Sequence, residues 1–436
     1  MSLAQELKPF GVDLVWGTNP DITQASKLLA RTDASVVAQW EWGNEPKMNE
    51  VSAAVSLANE FKVFREALED RFGAKHVVLV GPDVGYGAWA PCPYPGSENA
   101  QWLEAFFSVA NSSVLDAANI HVYPFDHDDV GGDYQSGDPV CADEDTNPTL
   151  PWCNYTRVLW PFELFDTRPV TDFTTNFARI TLDRGGIRDV RIGESASVNH
   201  GGWANVSNTF ASGFWYLWEL GQLARDGYTV LQRQSIAASA SPEGEEEFGN
   251  YGLLSDSPDF DPNPDYFTAL LWTRLKGARA LHTAYKFANA SACRPPADSP
   301  FATPAGLEST LRVWTHCTAA DAAGGEMRGG ITIAFANPQT FDVELVLPDS
   351  PAESPRSEYV LAPPAGDPTG LQSRFVSLNA GPALVVGVSN VLPALEPRVV
   401  ESGAIIRTDF LSSAKPGQRR ATRSMFSCVQ EQLPLC

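Results

Sequence analysis

Through the first 278 residues, short β-branched and apolar runs alternate with longer stretches in which apolar positions recur every three or four residues. The short runs, Val12–Thr18, Val36–Gly43, His76–Gly81, Asn119–Phe125, Val190–Gly193 and Thr229–Gln234, have strand length. The longer ones predict helices over Ile22–Ala30, Val51–Phe72, Ala100–Ala110, Asp172–Leu182, Phe210–Ala224 and Tyr266–Leu275. Strands joined through helices pair in parallel, because a parallel pair needs a long crossover. The expected fold class is α/β, a (β/α)8 TIM barrel of which only six strand–helix units are legible. From about Arg279 the helical period fades. Leu311–His316, Gly330–Phe335, Val343–Leu347, Glu358–Leu361, Arg374–Leu378 and Ala383–Val388 then read as strands between Pro and Gly punctuation. That predicts a C-terminal antiparallel β-sandwich domain, dividing the chain at 1–278 and 279–436, with Lys415–Arg423 an exposed basic loop.

The chain carries 31 basic and 53 acidic residues, a net charge of −22. Such a surface repels nucleic acid, anionic membranes and polysulfated glycans. Its densest charge runs, Asp126–Asp129 and Glu243–Glu247, are acidic too. Seven cysteines show no C-x-x-C spacing, which argues against a zinc site, and neither metal nor organic cofactor is expected. Sequons at Asn111, Asn154, Asn205 and Asn289, together with cysteines able to pair, favour a secreted or lysosomal/vacuolar setting. The chain opens Met-Ser-Leu-Ala-Gln-Glu-Leu-Lys, without the apolar core of a signal peptide, and has no apolar run of roughly 20 residues.

Two runs stand out chemically, Trp40-Glu-Trp-Gly-Asn-Glu-Pro46 and Ile192-Gly-Glu-Ser-Ala-Ser197. Each closes a strand pattern and puts a glutamate, Glu45 or Glu194, where strand gives way to loop. Taken singly, Glu45 reads as a solvated loop carboxylate and Glu194 as a helix-start residue. Together, at two strand ends of one barrel, they are the pair a retaining glycosidase needs, an acid/base and a nucleophile about 5–5.5 Å apart. Trp40 and Trp42 either shield Glu45 or fill the strand core; the pattern allows both. Counting Val12–Thr18 as the third barrel strand puts Glu45 at the end of the fourth and Glu194 at the end of the seventh.

An ordered series of motifs resembles glycoside hydrolase family 79, the heparanase and plant β-glucuronidase family. It runs Gly11-Val-Asp-Leu-Val-Trp-Gly-Thr-Asn19, Trp40–Pro46, Val80-Gly-Pro-Asp-Val-Gly85, Ile120-His-Val-Tyr123 and Gly193-Glu-Ser-Ala-Ser197. Gly201-Gly202, Arg233-Gln234, Gly249-Asn-Tyr251, Asp261-Pro-Asn-Pro-Asp-Tyr266 and Leu311-Arg-Val-Trp-Thr-His-Cys317 complete it. The resemblance implies Glu45 as acid/base, Glu194 as nucleophile and Asn44 as the residue on the sugar 2-hydroxyl. It places His121 and Tyr123 on the sixth strand, with Tyr123 orienting the nucleophile. Gly201, Gly202, Gly249 and Tyr251 would grip a uronic acid carboxylate, and Gln234 would line the same cleft. Cys317 would tie the sandwich to Cys436 or Cys428, whereas Cys92 and Cys293 have no assignment.

Two departures from that family shape the expectation. Its first two barrel strands and the first strand of its sandwich have no counterpart here. Either a truncated gene model or a separate N-terminal subunit completing the barrel accounts for that, since processed heparanases carry such a subunit. Residues 84–91, Val-Gly-Tyr-Gly-Ala-Trp-Ala-Pro, also stand where animal heparanase has a basic, sulfate-gripping cluster. The long acidic loop from Asp126 to Asn154, with Cys141 and Cys153 as a candidate local disulfide, is expected to overhang the catalytic face. The implied substrate is a glucuronic-acid-containing glycan less charged than heparan sulfate. A related retaining β-glycosidase with another sugar preference, and a catalytically inactive glycan-binding relative, are the competing readings.

Overall fold

A computed structural model describes residues 6, 9, 13–18, 20–32, 37–86, 96–124, 168–202, 205–237, 250–255, 260–283, 312–319, 326–336, 344–346, 356–386, 392–400, 405–407 and 426–432. The chain forms two compact units. The first comprises Met1–Pro124, Thr167–Ser195 and Asp226–Arg233, and the second Phe125–Asp166, Ala196–Arg225 and Gln234–Cys436.

In the first unit, strands β1 (Leu14–Thr18), β2 (Val37–Trp42), β3 (Leu79–Tyr86), β4 (Ala117–Val122), β5 (Val190–Ser195) and β6 (Val230–Arg233) form one parallel sheet in chain order. Helices α1 (Ile22–Arg31), α2 (Val51–Phe72), α3 (Glu98–Val109) and α4 (Arg168–Ile180) supply crossovers. The sequence dictates these assignments locally. α2 buries Ala54, Ala58, Phe61, Phe64 and Leu68, a stripe spaced by three and four residues. α1 starts where the Asp21 carboxylate accepts from the backbone N–H groups of Thr23 and Gln24. β4, Ala-Ala-Asn-Ile-His-Val, is buried at every position, as befits a central parallel strand.

β2 alternates between two environments. Trp40 and Trp42 are both buried and pack on α2, with ring centroids 6.3 and 4.3 Å from Phe64. Trp40 also stacks on Phe72 at 5.7 Å. The indoles are therefore strand–helix core. With period-two alternation, Glu41 between them points to the other face.

The ladder shifts register at four of its five strand pairings, and two of these irregularities shape the site. Pro82 pairs with Asn119 and Val84 with Ile120, leaving Asp83 as the extra residue of β3. Ile120 pairs with Ile192 and His121 with Glu194, leaving Gly193 extra on β5. Each bulge re-aims the side chains beyond it. The expected strand His76–Gly81 is corrected accordingly. Ala74–His76 form a 3₁₀ turn, the ladder begins where the N–H of Leu79 donates to Asp116 (2.8 Å), and the Asp83 bulge carries the strand past Gly81-Pro82 to Tyr86. The helix expected over Asp172–Leu182 starts at Arg168 and widens into a π turn, Thr181–Gly185, closed by Gly186 at φ +64°.

The second unit holds α5 (Phe210–Arg225), α6 (Pro264–Leu275), β7 (Lys276–Leu281), β8 (Arg312–Ala319), β9 (Glu326–Ala336), β10 (Glu344–Val346), β11 (Arg356–Ala362), β12 (Ser377–Leu378), β13 (Arg398–Val400), β14 (Ile405–Arg407) and β15 (Phe426–Gln432). Its main sheet is antiparallel, in the order β12-β11-β15-β9-β8-β7 with β13 also on β11, and β10 pairs with β14 apart from it. The boundary expected at 278/279 falls inside β7. Both helices pack on the antiparallel sheet. A Cβ on Gly221 of α5 would lie 2.2 Å from the Trp314 ring of β8, and Trp272 of α6 meets His316 edge-on at 5.0 Å. The expected strand Arg374–Leu378 reduces to Ser377–Leu378, and at Ala383 the expected Ala383–Val388 is an isolated bridge to Ser377. The loop from Asp126 to Asn154, the Glu243–Glu247 run, Lys415–Arg423, Cys92, Cys141, Cys153 and Cys293 lie outside the described residues. Among the described residues no helix is long and apolar enough to cross a membrane.

Candidate active site

The inward face of the parallel sheet gathers carboxylates around one histidine. Glu45 follows β2 through a turn opened by Gly43 at φ +90°. Glu45 itself sits at φ +44°, where a side chain costs about 1–2 kcal/mol. Its backbone N–H donates to the carbonyl of Asp83 at 3.0 Å, which holds that conformation. Glu194 comes from the other side of β4, turned inward by the Gly193 bulge.

His121 stands between them, 1% exposed, with Nδ1 2.9 Å from Glu45 Oε1 and Nε2 2.8 Å from Asp83 Oδ1. The same Nδ1 lies 3.6 Å from Glu194 Oε2, which accepts from the Tyr123 hydroxyl at 2.6 Å. Asn119 braces the floor. Its Nδ2 donates to Asp83 Oδ1 at 2.7 Å and to Glu41 Oε1 at 3.0 Å, while its Oδ1 accepts from the Asp83 N–H at 3.0 Å. One oxygen each of Glu45 and Glu194, with a nitrogen of His121, fall within 4.8 Å of one another. The side chains of Glu45 and Glu194 are 46% and 29% exposed, so both reach solvent.

The electrostatics follow from this crowding. Burial works against a charged His121, but hydrogen bonds to Asp83 and Glu45 and the negative charges of Asp83 and Glu194 outweigh it, holding the imidazole up at about 10. Burial, then repulsion from Asp83 and Glu194, pushes Glu41 up to about 7 against the opposing pull of His121 and Asn119. Glu45, His121 and Glu194 are a set that could hold a cation. An imidazolium donating from both nitrogens, however, has no lone pair to give one.

Comparison with known proteins agrees with this architecture. No family model matches the chain. It is 26% identical over 409 residues to heparanase of Bos taurus, covering 90% of this chain and 62% of that one. It is 33% identical over 218 residues to baicalin-beta-D-glucuronidase of Scutellaria baicalensis, covering 50% and 33%. The relatives that it matches are heparanases, heparanase-like proteins and a β-glucuronidase, and they support a heparanase-like family, glycoside hydrolase family 79. This heparanase-like chain spans a little under two thirds of the length of the heparanases it matches. Its fold is similar to that of a GH51 arabinofuranosidase from Xanthomonas axonopodis pv. citri, with a TM-score of 0.53 at 9% identity over 99% of this chain and 78% of that one. The parallel sheet is thus of the TIM-barrel type.

Within the heparanase-like chain the remaining expected residues divide between the units. Asn44 is exposed beside Glu45. Gly201 and Gly202, at φ +93° and +80°, form a turn in the second unit whose Gly201 carbonyl accepts from the Tyr251 N–H at 3.0 Å. A Cβ on Gly202 would come within 2.8 Å of Ser207 and 3.0 Å of Tyr251, so these residues need glycine there. Gln234 directly follows β6, and Gly249 lies outside the described residues. Cys317 is disulfide-bonded, while Cys436 lies outside the described residues.

Glu41, Asp83 and Asn119 were not anticipated as site residues. The signal for Glu41 was available, since alternation along Trp40-Glu41-Trp42 puts a carboxylate opposite two indoles. Asp83 lay within a quoted motif, but only the bulge turns it inward.

Proposed function

We propose that this chain is a retaining glycoside hydrolase that cleaves β-linked glucuronic acid from a poly- or oligosaccharide. The observation that carries the reading is the approach of Glu45 and Glu194 from the ends of β2 and β5, with one oxygen of each within 4.8 Å, the close spacing of a double displacement rather than the wider one that leaves room for a water. In this reading Glu45 protonates the glycosidic oxygen while Glu194, oriented by Tyr123, attacks the anomeric carbon. The bond to the leaving sugar breaks as the glycosyl ester forms. Glu45 then takes a proton from water, whose oxygen attacks the same carbon and releases Glu194. No metal or organic cofactor takes part in these steps. Asn44 would hold the 2-hydroxyl, and the Gly201, Gly202, Gly249 and Tyr251 backbone with Gln234 the carboxylate of the sugar.

A net charge of −22 makes a densely sulfated polymer a poor substrate, so a sparsely charged β-glucuronide fits better. The disulfide at Cys317 and the sequons support a secreted or lysosomal setting, with the antiparallel strands read as a sandwich module. The test is hydrolysis of 4-nitrophenyl β-D-glucuronide against the matching glucoside and xyloside, following the released sugar by proton NMR. Turnover of the glucuronide with β-anomer first supports the reading. First release of the α-anomer, preference for another sugar, or glycan binding without turnover would sink it.

A further inference from the structure

The hydrogen-bond geometry of His121 says more than that it lies near two glutamates. Each ring nitrogen faces a carboxylate oxygen at hydrogen-bond distance, Glu45 on Nδ1 and Asp83 on Nε2. An ionised carboxylate only accepts, so Nε2 carries a proton toward Asp83 and Nδ1 carries one whenever Glu45 is ionised, while a protonated Glu45 still offers its carbonyl oxygen to the Nδ1 proton. The groups facing the ring all add to that demand. Glu41 from β2, Glu45 from the turn after it, Asp83 from β3 and Glu194 from β5 are carboxyls, and the Tyr123 hydroxyl beyond β4 donates a hydrogen bond to Glu194.

Resting on the glycosidase reading above, we propose that His121 is a positioning residue that stays an imidazolium throughout the reaction, clamped between Asp83 and Glu45. Its fixed positive charge stabilises Glu45 as the carboxylate it becomes on giving up its proton. The proton that reaches the glycosidic oxygen comes from Glu45, and both protons of His121 stay on the ring. Asp83 is the permanent counter-charge, oriented by Asn119. Half-buried Glu41, protonated up to about pH 7, adds no further negative charge below that pH. The clamp acts in both halves of the reaction, because the ionised form of Glu45 ends the first and begins the second.

The experiment is nitrogen-15 NMR of the full chain labelled at histidine, read from pH 5 to 11. The chain has six histidines, and His121→Gln assigns the resonance. If that variant fails to fold, single replacement of each of the other histidines assigns it by elimination. Both ring nitrogens of His121 are expected to be protonated at pH 7.5; one unprotonated nitrogen there overturns the proposal. Asp83→Asn is expected to lower the titration midpoint of His121 by at least one pH unit, and an unchanged midpoint refutes the clamp. On an aryl glucuronide, His121→Gln should move the alkaline limb of kcat/KM up by about one pH unit. A uniform fall of kcat at every pH would mean a merely structural role. The NMR arm needs no turnover. An inactive chain with a protonated His121 would therefore refute the glycosidase reading and leave the clamp standing, whereas an active chain with a neutral ring would do the reverse.

Discussion

Gly193 and Asp83 approach each other so closely that a Cβ on Gly193 would lie 2.8 Å from Asp83 Oδ1. The same atom would stand 2.8 Å from Asn119 Nδ2 and 3.3 Å from the His121 ring. The bulge that aims Glu194 therefore also leaves the space its supporting network fills. Gly193→Ala should displace Asp83 or Asn119 and cost at least tenfold in kcat, with a thermal midpoint lowered by a few degrees. Unchanged kinetics would mean the network tolerates that displacement.

Glu45→Gln and Glu194→Gln should each retain the fold and lose activity differently. General acid–base groups contribute about 10²–10⁴-fold, so the Glu45 variant should fall in that range on a poor leaving group. It should fall less on an activated aryl glucuronide, which needs little protonation. Removing Glu194, the proposed nucleophile, should abolish turnover on both. Equal losses on both leaving groups for Glu45→Gln would remove it from the acid role.

Tyr123→Phe deletes a 2.6 Å hydrogen bond to Glu194. A hydrogen bond to a charged group is worth about 1.5–3 kcal/mol, so kcat should fall roughly 10–100-fold with KM little changed. A change confined to KM would place Tyr123 on the substrate instead.

Glu41 predicts a pH dependence of stability. Its folded-state value, about 7, lies above the model-compound value of 4.5. The folded state thus holds this proton more tightly than the unfolded chain does. The resulting contribution is fully present below about pH 4.5 and is lost as pH rises through about 7. Glu41→Gln should flatten that slope and raise stability at pH 8 by an amount on the order of 1–3 kcal/mol, measured by urea denaturation at pH 5 and pH 8. An unaltered slope would show that Glu41 ionises freely.

Trp42→Ala removes a buried indole 4.3 Å from Phe64. It should destabilise the fold by about 3–5 kcal/mol while leaving the pH limits of catalysis in place. A shifted limb at normal stability would return Trp42 to a shielding role for Glu45.

Much of the first unit was legible because its signals are local. The stripe from Ala54 to Leu68 predicts α2 over Val51–Phe72, the bounds observed, and the apolar run ending at Gly43 predicts β2. Glu45 and Glu194 were legible as strand-end carboxylates. What escaped depends on pairing between distant strands. Asp83 faces His121 because β3 bulges against β4, and no pattern within Gly81-Pro82-Asp83 announces that register. β7, β13 and β15 escaped for the same reason, since antiparallel partners far apart in the chain leave only weak short-range periodicity. Residues 383–386 show the converse, since beyond the Ala383 bridge this apolar run gains no partner strand.

The alternation in β2 makes Trp40-Glu41-Trp42 behave like a reading frame. One residue inserted or deleted within the strand would send indoles to the face that holds Asn119 and His121, and a carboxylate into the aromatic layer on α2. No single point substitution does both kinds of damage. Relatives that keep this site should therefore vary in length on either side of β2, in the connections, and preserve the residue count from Val37 to Glu45.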